Sequence, residues 1–307
     1  MSDAEVFEGD FRSGFVCLVG RPNTGKSTLT NALVGTKVAI TSNRPQTTRH
    51  TIRGILHRND FQLILVDTPG LHRPRTLLGQ RLNDLVRDTY SQVDVIGLCI
   101  PADEKIGPGD RWIVEQIRAV APRTPLVAVV TKIDKVGKDR VAGQLVAVAE
   151  LVGTERTEIV PVSAVTGEQI DVLTGVLAAG LPPGPAFYPD GELTDEPEET
   201  LMAEFIREAA LEGVRDELPH SLAVVIEDVA PREGRDDLID VHAVLYVERT
   251  SQKGIVIGKG GSRLRAVGTT AREQIEKLLG TKVYLDLRVK IAKNWQRDPK
   301  QLGRLGF

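Results

Sequence analysis

The sequence predicts an α/β domain with an open, mainly parallel sheet, followed by a smaller α+β domain. Apolar strand-like runs alternate with helical segments from Phe15 to Ala179, and a stretch with five prolines, Leu181–Pro197, then interrupts the alternation. A chain of 307 residues is long enough for about two domains. We therefore predict a first domain at 1–182, a linker at 183–199 and a second domain at 200–307.

The first domain is organised around the pattern G-x-x-x-x-G-K-[ST], which is typical of a loop that binds phosphate. A glycine-rich turn between a strand and a helix N-terminus directs backbone N–H groups at an anion. We expect a nucleoside triphosphate there, with Lys26 reaching the β- and γ-phosphates and Ser27 binding Mg²⁺. The predicted nucleotide-binding residues of this segment are Gly20, Arg21, Pro22, Asn23, Thr24, Gly25, Lys26, Ser27 and Thr28.

The composition is that of a globular protein, with 41% hydrophobic and 26% charged residues. Cys17 and Cys99 each lie inside an apolar run, so we expect buried reduced thiols in a cytosolic protein. The acidic N-terminus lacks the apolar core of a signal peptide, and no apolar run approaches the length of a membrane span. The scattered histidines show no spacing typical of zinc.

The elements of the first domain follow from apolar runs and turn residues. The polar segment Ser42–Arg49 predicts a mobile loop, and two runs flanking Arg58–Asp60 predict a hairpin. We predict strands at Phe15–Val19, Thr51–Leu56, Phe61–Val66, Asp94–Ile100, Leu126–Val130 and Thr157–Val162. We predict helices at Ser27–Val34, Leu77–Tyr90, Gly109–Val120, Asp139–Val152 and Gly167–Ala179.

The end of one buried strand predicts the rest of a magnesium site. Asp67 begins the sequence Asp67-Thr68-Pro69-Gly70 directly after an apolar run, and we expect its carboxylate to help hold the metal. A threonine of the polar loop, Thr48 rather than Thr47, would close onto Mg²⁺ when a γ-phosphate is present. The loop would then act as a switch.

Residues after two later strands predict guanine as the base. Asp134, close behind Lys132, could accept two hydrogen bonds from the N1–H and N2–H₂ edge of guanine, whereas adenine offers no such pair of donors. The backbone at Ser163 and Ala164 could meet the O6 atom of guanine. Thr131 begins this segment, and we include it among the nucleotide-binding residues.

The second domain has a different order of elements and a basic end. Residues 251–307 contain 13 Lys and Arg against 4 Asp and Glu, a net charge of +9, whereas the whole chain carries −3. This asymmetry suggests a polyanionic partner at one end of the chain. We predict helices at Thr200–Arg215, Ser251–Ile257 and Ser262–Leu279, strands at Leu222–Val229, Ile239–Val247 and Lys282–Ile291, a polar turn at Pro231–Asp237 and a polar tail at Asn294–Phe307.

The turn between the last two predicted helices has the pattern G-x-x-G. A turn poor in side chains lets an RNA backbone approach closely, and Lys259 adds a positive charge. The element order and the charge favour a KH module, which clamps about four nucleotides. The predicted RNA-binding residues are Ile257, Gly258, Lys259, Gly260, Gly261 and Arg263.

Taken together, these motifs resemble the bacterial Era GTPase family over nearly the whole chain. The resemblance implies a Ras-like P-loop GTPase domain followed by a type II KH domain. The matching stretches are Gly20–Ser27, Thr47–Arg49, Asp67–Gly70, Thr131–Asp134, Ser163–Ala164 and Gly258–Gly261.

The resemblance also implies a function. Members of this family hydrolyse GTP slowly and bind the 3′ end of 16S ribosomal RNA during assembly of the small ribosomal subunit. A cytoplasmic monomer with some peripheral membrane association is implied. Asn23 is similar to an asparagine that binds K⁺ in related GTPases, where the cation supplies positive charge beside the phosphates. The catalytic residues we predict are Asn23, Lys26, Thr48 and Gly70.

Two positions depart from familiar patterns. The family usually has Asn-Lys-x-Asp, whose asparagine amide braces the phosphate loop and the base, and this chain has Thr131 there. We therefore expect an effect on nucleotide affinity more than on guanine selection, which depends on Asp134. Leu71 stands where Ras-type enzymes place a glutamine that orients water, and leucine cannot do this.

Two other functions remain compatible with the sequence. One is an RNA chaperone that binds nucleotide with negligible hydrolysis, and the other is a signalling GTPase at a membrane surface. Measuring phosphate release over multiple turnovers distinguishes the RNA chaperone from a GTPase. Comparing binding to RNA with binding to anionic vesicles tests the membrane-surface GTPase. A relative with two GTPase domains is excluded because the chain has one phosphate loop.

Overall fold

A computed structural model describes residues 10–41, 52–69, 76–153, 157–212 and 221–306. The chain divides into two units. The first unit contains Met1–Ala39, Thr48–Arg73 and Leu82–Asp195, and the second contains Ile40–Thr47, Pro74–Arg81 and Glu196–Phe307.

The first unit is built on a six-stranded sheet with the order β2-β3-β1-β4-β5-β6. Every neighbouring pair is parallel except β2 and β3, which form the predicted antiparallel hairpin. The strands are β1 Arg12–Val19, β2 Ile52–His57, β3 Phe61–Asp67, β4 Val95–Pro101, β5 Leu126–Thr131 and β6 Thr157–Pro161. The predicted open, mainly parallel sheet is confirmed.

Helices cover both faces of this sheet, which explains why its central strands are continuous apolar runs. Every residue of β3 and β4 is buried. One core includes Leu29 and Leu177 from helices α1 and α5, and the other includes Val86, Ile117 and Val148 from α2, α3 and α4. The helices are α1 Lys26–Val34, α2 Leu77–Tyr90, α3 Pro108–Val120, α4 Lys138–Val152 and α5 Ile170–Ala179.

The first part of the predicted linker is bound to the hairpin of the first unit. The Gln62 side chain accepts from the N–H groups of Phe187 and Tyr188, and it donates to the Tyr188 carbonyl at 2.8 Å. The N–H of Ile55 donates to the Leu193 carbonyl at 2.9 Å. The composition predicts a linker and domain boundary, and these long-range hydrogen bonds hold the first part of that segment against β2 and β3.

The second unit contains the three-stranded sheet β7-β8-β9, in which β7 and β8 are antiparallel and β8 and β9 parallel. The turn between β7 and β8 is shorter than predicted, because pairing continues to Arg232 and Arg235 and leaves Glu233 and Gly234 between the strands. The elements are α6 Glu198–Leu211, β7 Ala223–Arg232, β8 Arg235–Val247, α7 Thr250–Ile257, α8 Ser262–Leu279, β9 Lys282–Ile291 and α9 Pro299–Arg304.

The C-terminal segment folds against this unit, so the prediction of a polar tail is wrong. Trp295 is fully buried, and its indole N–H donates to the Ser221 carbonyl at 3.0 Å. Leu302 and Leu305 are also buried, and the Asp298 side chain caps the N-terminus of α9. Three apolar residues spaced among polar ones were too few to produce a recognisable helical periodicity.

Candidate functional site

The phosphate loop lies between β1 and α1, as the sequence predicts. A side chain at Gly20 would meet the Cys99 carbonyl oxygen at 2.6 Å and the Thr24 hydroxyl at 2.7 Å, so only glycine fits. Gly25 precedes α1 in the left-handed region with φ 93°, which favours glycine. Asn23 has φ 65°, a conformation that asparagine tolerates better than most residues.

The side chains expected to bind phosphate and Mg²⁺ converge at this loop. Lys26 is 6% exposed, and its Nζ donates to the carbonyls of Gly20 and Arg21. Burial lowers the pKa of Lys26, and nearby Asp67 opposes that shift. The Ser27 hydroxyl donates to Asp67 Oδ2 at 2.8 Å. A hydroxyl and a carboxylate so close together fit Mg²⁺, which takes few protein ligands beside substrate phosphates.

Arg21 attaches the beginning of the loop to the region around α3. Its guanidinium lies 2.8 Å from Asp110 Oδ1 and 3.0 Å from Glu104 Oε2. Asp110 is 1% exposed, and its other oxygen accepts the N–H of Gly107 at the start of α3. The sequence motif alone did not reveal this ion pair, because its partners are more than eighty positions along the chain.

Thr131 lies at the end of β5, against the phosphate loop. Its hydroxyl donates to the Thr24 carbonyl at 2.6 Å, and the residue is 3% exposed. The position that departs from the family pattern therefore contacts the loop directly.

The predicted base-reading residues lie together beyond the ends of β5 and β6. Lys132 adopts the left-handed conformation with φ 58° and is followed by a short 3-10 turn that contains Asp134. The Ser163 hydroxyl donates to Asp134 Oδ1 at 2.7 Å and accepts the N–H of Thr166. Ser163 is fully buried and Asp134 is exposed, so the carboxylate is fixed on one side and open on the other.

Two predicted catalytic residues, Thr48 and Gly70, lie outside the described residues, as do Thr47 and Leu71. Their roles remain predictions.

The G-x-x-G turn joins α7 and α8 in the second unit. Gly258, Gly260 and Gly261 have φ values of 73°, 58° and 75°, which explains the glycines. Lys259 and Gly260 are exposed, whereas Ile257 is partly buried against the core. The turn therefore presents bare backbone and one cation at the surface.

Arg263 has a structural contact that the sequence did not suggest. Its guanidinium donates to the carbonyls of Ala210 and Glu212 at 3.1 and 2.6 Å, at the end of α6. The last carbonyls of a helix have no N–H partner within the helix, so the arginine side chain caps them. Its predicted role in RNA binding would have to coexist with this capping.

A groove of about 340 Å³ begins at Gly261 and runs between α8 and β9. Arg265, Arg272 and Tyr284 line it, and all three are exposed. The Arg232 guanidinium lies 4.4 Å from the centroid of the Tyr284 ring. Sequence reasoning missed these residues, although Arg265 and Arg272 are seven positions apart on a helix and therefore share one face.

Cys17 and Cys99 are both buried, Cys99 against Gly20 of the phosphate loop, and their thiols are poorly reactive. Burial raises the pKa of each thiol to about 12.

Among the residues that the structure describes, none of the helices combines the length and the apolar character that a membrane span requires.

Comparison with protein families gives two matches. Residues 15–132 match the model of the 50S ribosome-binding GTPase family, and residues 217–296 match the KH domain model. GTPase Era from Mycobacterium sp. (strain JLS) is 87% identical over 298 residues, covering 97% of this chain and 99% of that protein. GTPase Era from Mycobacterium tuberculosis (strain ATCC 25177 / H37Ra) is 81% identical over 299 residues, with the same coverage.

Two solved structures are similar to this chain over 96% of its length. One is a crystal structure of Era in complex with MgGDPNP and nucleotides 1506–1542 of 16S ribosomal RNA. The other is a point variant of Aquifex aeolicus Era bound to GDP·AlF4⁻. Each has a TM-score of 0.92 and 36% identity, and each match covers 96% of this chain and 99% of the other.

Proposed function

This chain belongs to the Era family of GTPases, and from that premise we propose that its first unit hydrolyses GTP while its second unit binds ribosomal RNA. We propose the 3′ end of 16S ribosomal RNA as the target and assembly of the small ribosomal subunit as the process. The observation that carries this proposal is the presence, in one chain, of a braced phosphate loop and an exposed G-x-x-G turn.

The nucleotide site supports GTP with Mg²⁺ as the substrate. Lys26 would neutralise phosphate charge, and Ser27 and Asp67 would hold Mg²⁺. Asp134, held by Ser163, presents an acceptor to the donor edge of guanine. When bound there, Mg²⁺ would supply positive charge to the phosphate oxygens during transfer of the terminal phosphoryl group from GTP to water.

Catalysis would draw on residues around the terminal phosphate. We propose that Thr48 closes over it, that Gly70 donates a backbone N–H to it, and that Asn23 holds K⁺ beside it. Leu71 offers no polar group to orient water. Electrostatic stabilisation of the transition state by Lys26 and the cations would therefore supply most of the rate enhancement.

The groove in the second unit supports binding of single-stranded RNA. Phosphates can approach the bare backbone at Gly260, while Arg265 and Arg272 offer charge along the adjoining helix. Tyr284 is 48% exposed, and its ring offers a face on which a base can stack.

We further propose that the protein works as a monomer in the cytoplasm. Any contact with an anionic membrane surface would use the same basic segment, residues 251–307 with a net charge of +9. RNA and membrane would then compete, and the exposed glycine turn favours RNA as the main partner.

The deciding experiment measures multiple-turnover GTP hydrolysis with and without RNA that carries the 16S 3′ end. Replacing Lys259 and Gly260 with aspartate should abolish RNA binding at two salt concentrations while leaving GTP binding unchanged. Wild-type binding should weaken as salt rises, because bound RNA releases counterions. RNA binding by the double aspartate protein at wild-type strength would overturn the RNA assignment, and absence of turnover would favour a nucleotide-binding chaperone.

A matched control makes the same change in net charge at two positions away from the G-x-x-G turn. Lys277 is exposed in α8, and a side chain at Gly303 would meet no atom within 4 Å. Replacing both with aspartate alters the net charge equally and should retain most RNA binding.

A further inference from the structure

Arg263 lies on the face of α8 that packs against the core of the second unit. Val267, Ala271 and Ile275 follow it at intervals of four residues, and all three are buried. Residues four apart share one face of a helix, so Arg263 continues this buried stripe at the N-terminus of α8. Arg265, two positions further on, instead lines the groove between α8 and β9.

The guanidinium of Arg263 is committed to the end of α6. Its Nη2 atom donates to the Ala210 carbonyl at 3.1 Å and to the Glu212 carbonyl at 2.6 Å, which uses both of its hydrogen atoms. The Nε atom is buried. A bidentate contact with phosphate needs two parallel N–H···O bonds, and Nη1 by itself cannot present the two nitrogen atoms of such a fork.

The end of α6 is a firm attachment point for this arginine. Its last turn contains no basic residue, so the cation that faces its carbonyls comes from α8. Ala210 and Leu211 are buried in the core of the second unit. On the same turn, Glu208 Oε1 accepts the N–H of Thr41 at 2.8 Å and the hydroxyl of Thr41 at 3.2 Å. A side chain bound to this turn is therefore held to the core.

The backbone end of Arg263 contacts the G-x-x-G turn. A Cβ at Gly258 would lie 2.7 Å from the Cβ of Arg263 and 3.0 Å from its N atom, so the first glycine of the turn packs directly against this residue. The Gly261 N–H donates to the Gly258 carbonyl at 3.2 Å and closes the turn. A single residue thus connects the turn to the end of α6.

We propose that Arg263 is a positioning residue for RNA binding, which holds the G-x-x-G turn and the N-terminus of α8 on the end of α6. Contacts with phosphate are then made by Lys259, Arg265 and Arg272. A turn that is already held in its binding geometry loses less conformational freedom when RNA docks, so the attachment favours affinity without touching the RNA. This inference rests on the proposed RNA site.

Salt dependence distinguishes a positioning residue from one that contacts phosphate. The full chain is titrated with single-stranded RNA that carries the 16S 3′ end, at several salt concentrations. Each phosphate contact with a single strand contributes about −0.7 to the slope of log affinity against log salt. Arg265→Gln should reduce the magnitude of the slope by about 0.7, so its effect on affinity should shrink as salt rises.

Arg263→Gln makes the same charge change two positions away, with a different expected result. It should weaken RNA binding by about tenfold at every salt concentration and leave the slope within about 0.2 of the wild-type value. Arg263→Lys keeps the charge but lacks the planar guanidinium, so it should weaken binding by about fivefold, again with the wild-type slope. The lysine variant carries the test if Arg263→Gln does not fold.

Hydrogen exchange reports the position of the turn directly. The Gly261 amide should exchange about tenfold faster in both Arg263 variants than in the wild type, because the turn has lost its attachment to α6. Arg265→Gln should leave this rate unchanged. A purely structural role of Arg263 would lower the free energy of unfolding but would not change the RNA affinity of the folded protein.

Three results would overturn the proposal. If Arg263→Gln reduced the slope as Arg265→Gln does, Arg263 would be a phosphate contact. If both folded Arg263 variants bound RNA as tightly as the wild type, the link to α6 would serve stability alone. Unchanged exchange of the Gly261 amide would show that Arg263 does not hold the turn. Failure of the wild type to bind RNA would instead overturn the proposed RNA function, and this inference with it.

Discussion

The Ser163 hydroxyl donates a hydrogen bond of 2.7 Å to Asp134 Oδ1, joining the loops that follow β6 and β5. The donor, Ser163, is fully buried and occupies one oxygen of the Asp134 carboxylate, while Asp134 itself is exposed. A carboxylate held in this way loses little conformational freedom when a base docks, which favours affinity. In the proposed GTP site, these two residues would therefore act together in recognising guanine.

Asp134→Asn should change base preference from guanine towards xanthine. The amide loses two charge-assisted hydrogen bonds to guanine, so GTP should weaken by about 100-fold. Its N–H₂ group can instead donate to O2 of xanthine, so XTP should bind better than it does to wild type. Titration of both nucleotides measures the exchange.

Ser163→Ala is the control for that change. It removes the donor that orients the Asp134 carboxylate but leaves the negative charge. The affinity for GTP should therefore fall by only about fivefold, and the affinity for XTP should not rise. If Asp134→Asn left the relative affinities for GTP and XTP unchanged, Asp134 would not be the base reader.

Breaking the ion pair between Arg21 and Asp110 should destabilise the first unit. Arg21→Ala leaves a buried carboxylate with one partner fewer, at a cost of about 2 kcal/mol in the free energy of unfolding. Denaturant titration of single and double variants at these two positions should give a coupling energy of about 1–3 kcal/mol.

Glu104 offers a matched comparison on the same guanidinium. Its side chain is 43% exposed, against 2% for Asp110. Solvent screens the exposed pair, so Glu104→Gln should cost less than about 1 kcal/mol. Equal costs for the Glu104 and Asp110 pairs would show that burial is not what makes this contact strong.

K⁺ should stimulate GTP hydrolysis more than Na⁺, and the side-chain oxygen of Asn23 should be required. Asn23 has φ 65°, so alanine would add backbone strain. Asn23→Gly avoids that strain and lacks the oxygen, so it should abolish the difference between the salts. Asn23→Asp keeps an oxygen and should preserve it. Equal rates of hydrolysis by the wild type in K⁺ and in Na⁺ would show that Asn23 has only a structural role in the turn.

Trp295 should stabilise the second unit strongly. Trp295→Ala removes a fully buried indole and its hydrogen bond to Ser221, with an expected loss of about 3–5 kcal/mol. Ile255 is 51% exposed in the same unit, and Ile255→Ala should cost less than about 0.5 kcal/mol. Hydrogen exchange of the amides in β8 and β9 would report both effects, and similar protection in the two variants would contradict the importance of Trp295.

Features that depend on neighbours in the chain could be predicted from the sequence alone. The phosphate loop is a contiguous pattern, and strands such as β3 and β4 are recognisable because burial on both faces requires an unbroken apolar run. The bounds predicted for helix α8, Ser262–Leu279, and strand β9, Lys282–Ile291, agree with the structure, because glycines flank the helix and alternating apolar residues mark the strand.

Contacts between distant parts of the chain became visible only in the folded protein. Thr131 meets Thr24, Arg263 caps α6, and Gln62 holds Tyr188, each through a hydrogen bond between segments more than fifty residues apart. Such a bond needs one donor and one acceptor brought together by the packing of whole elements. It imposes no periodicity on the residues around either partner, so a single sequence carries no sign of it.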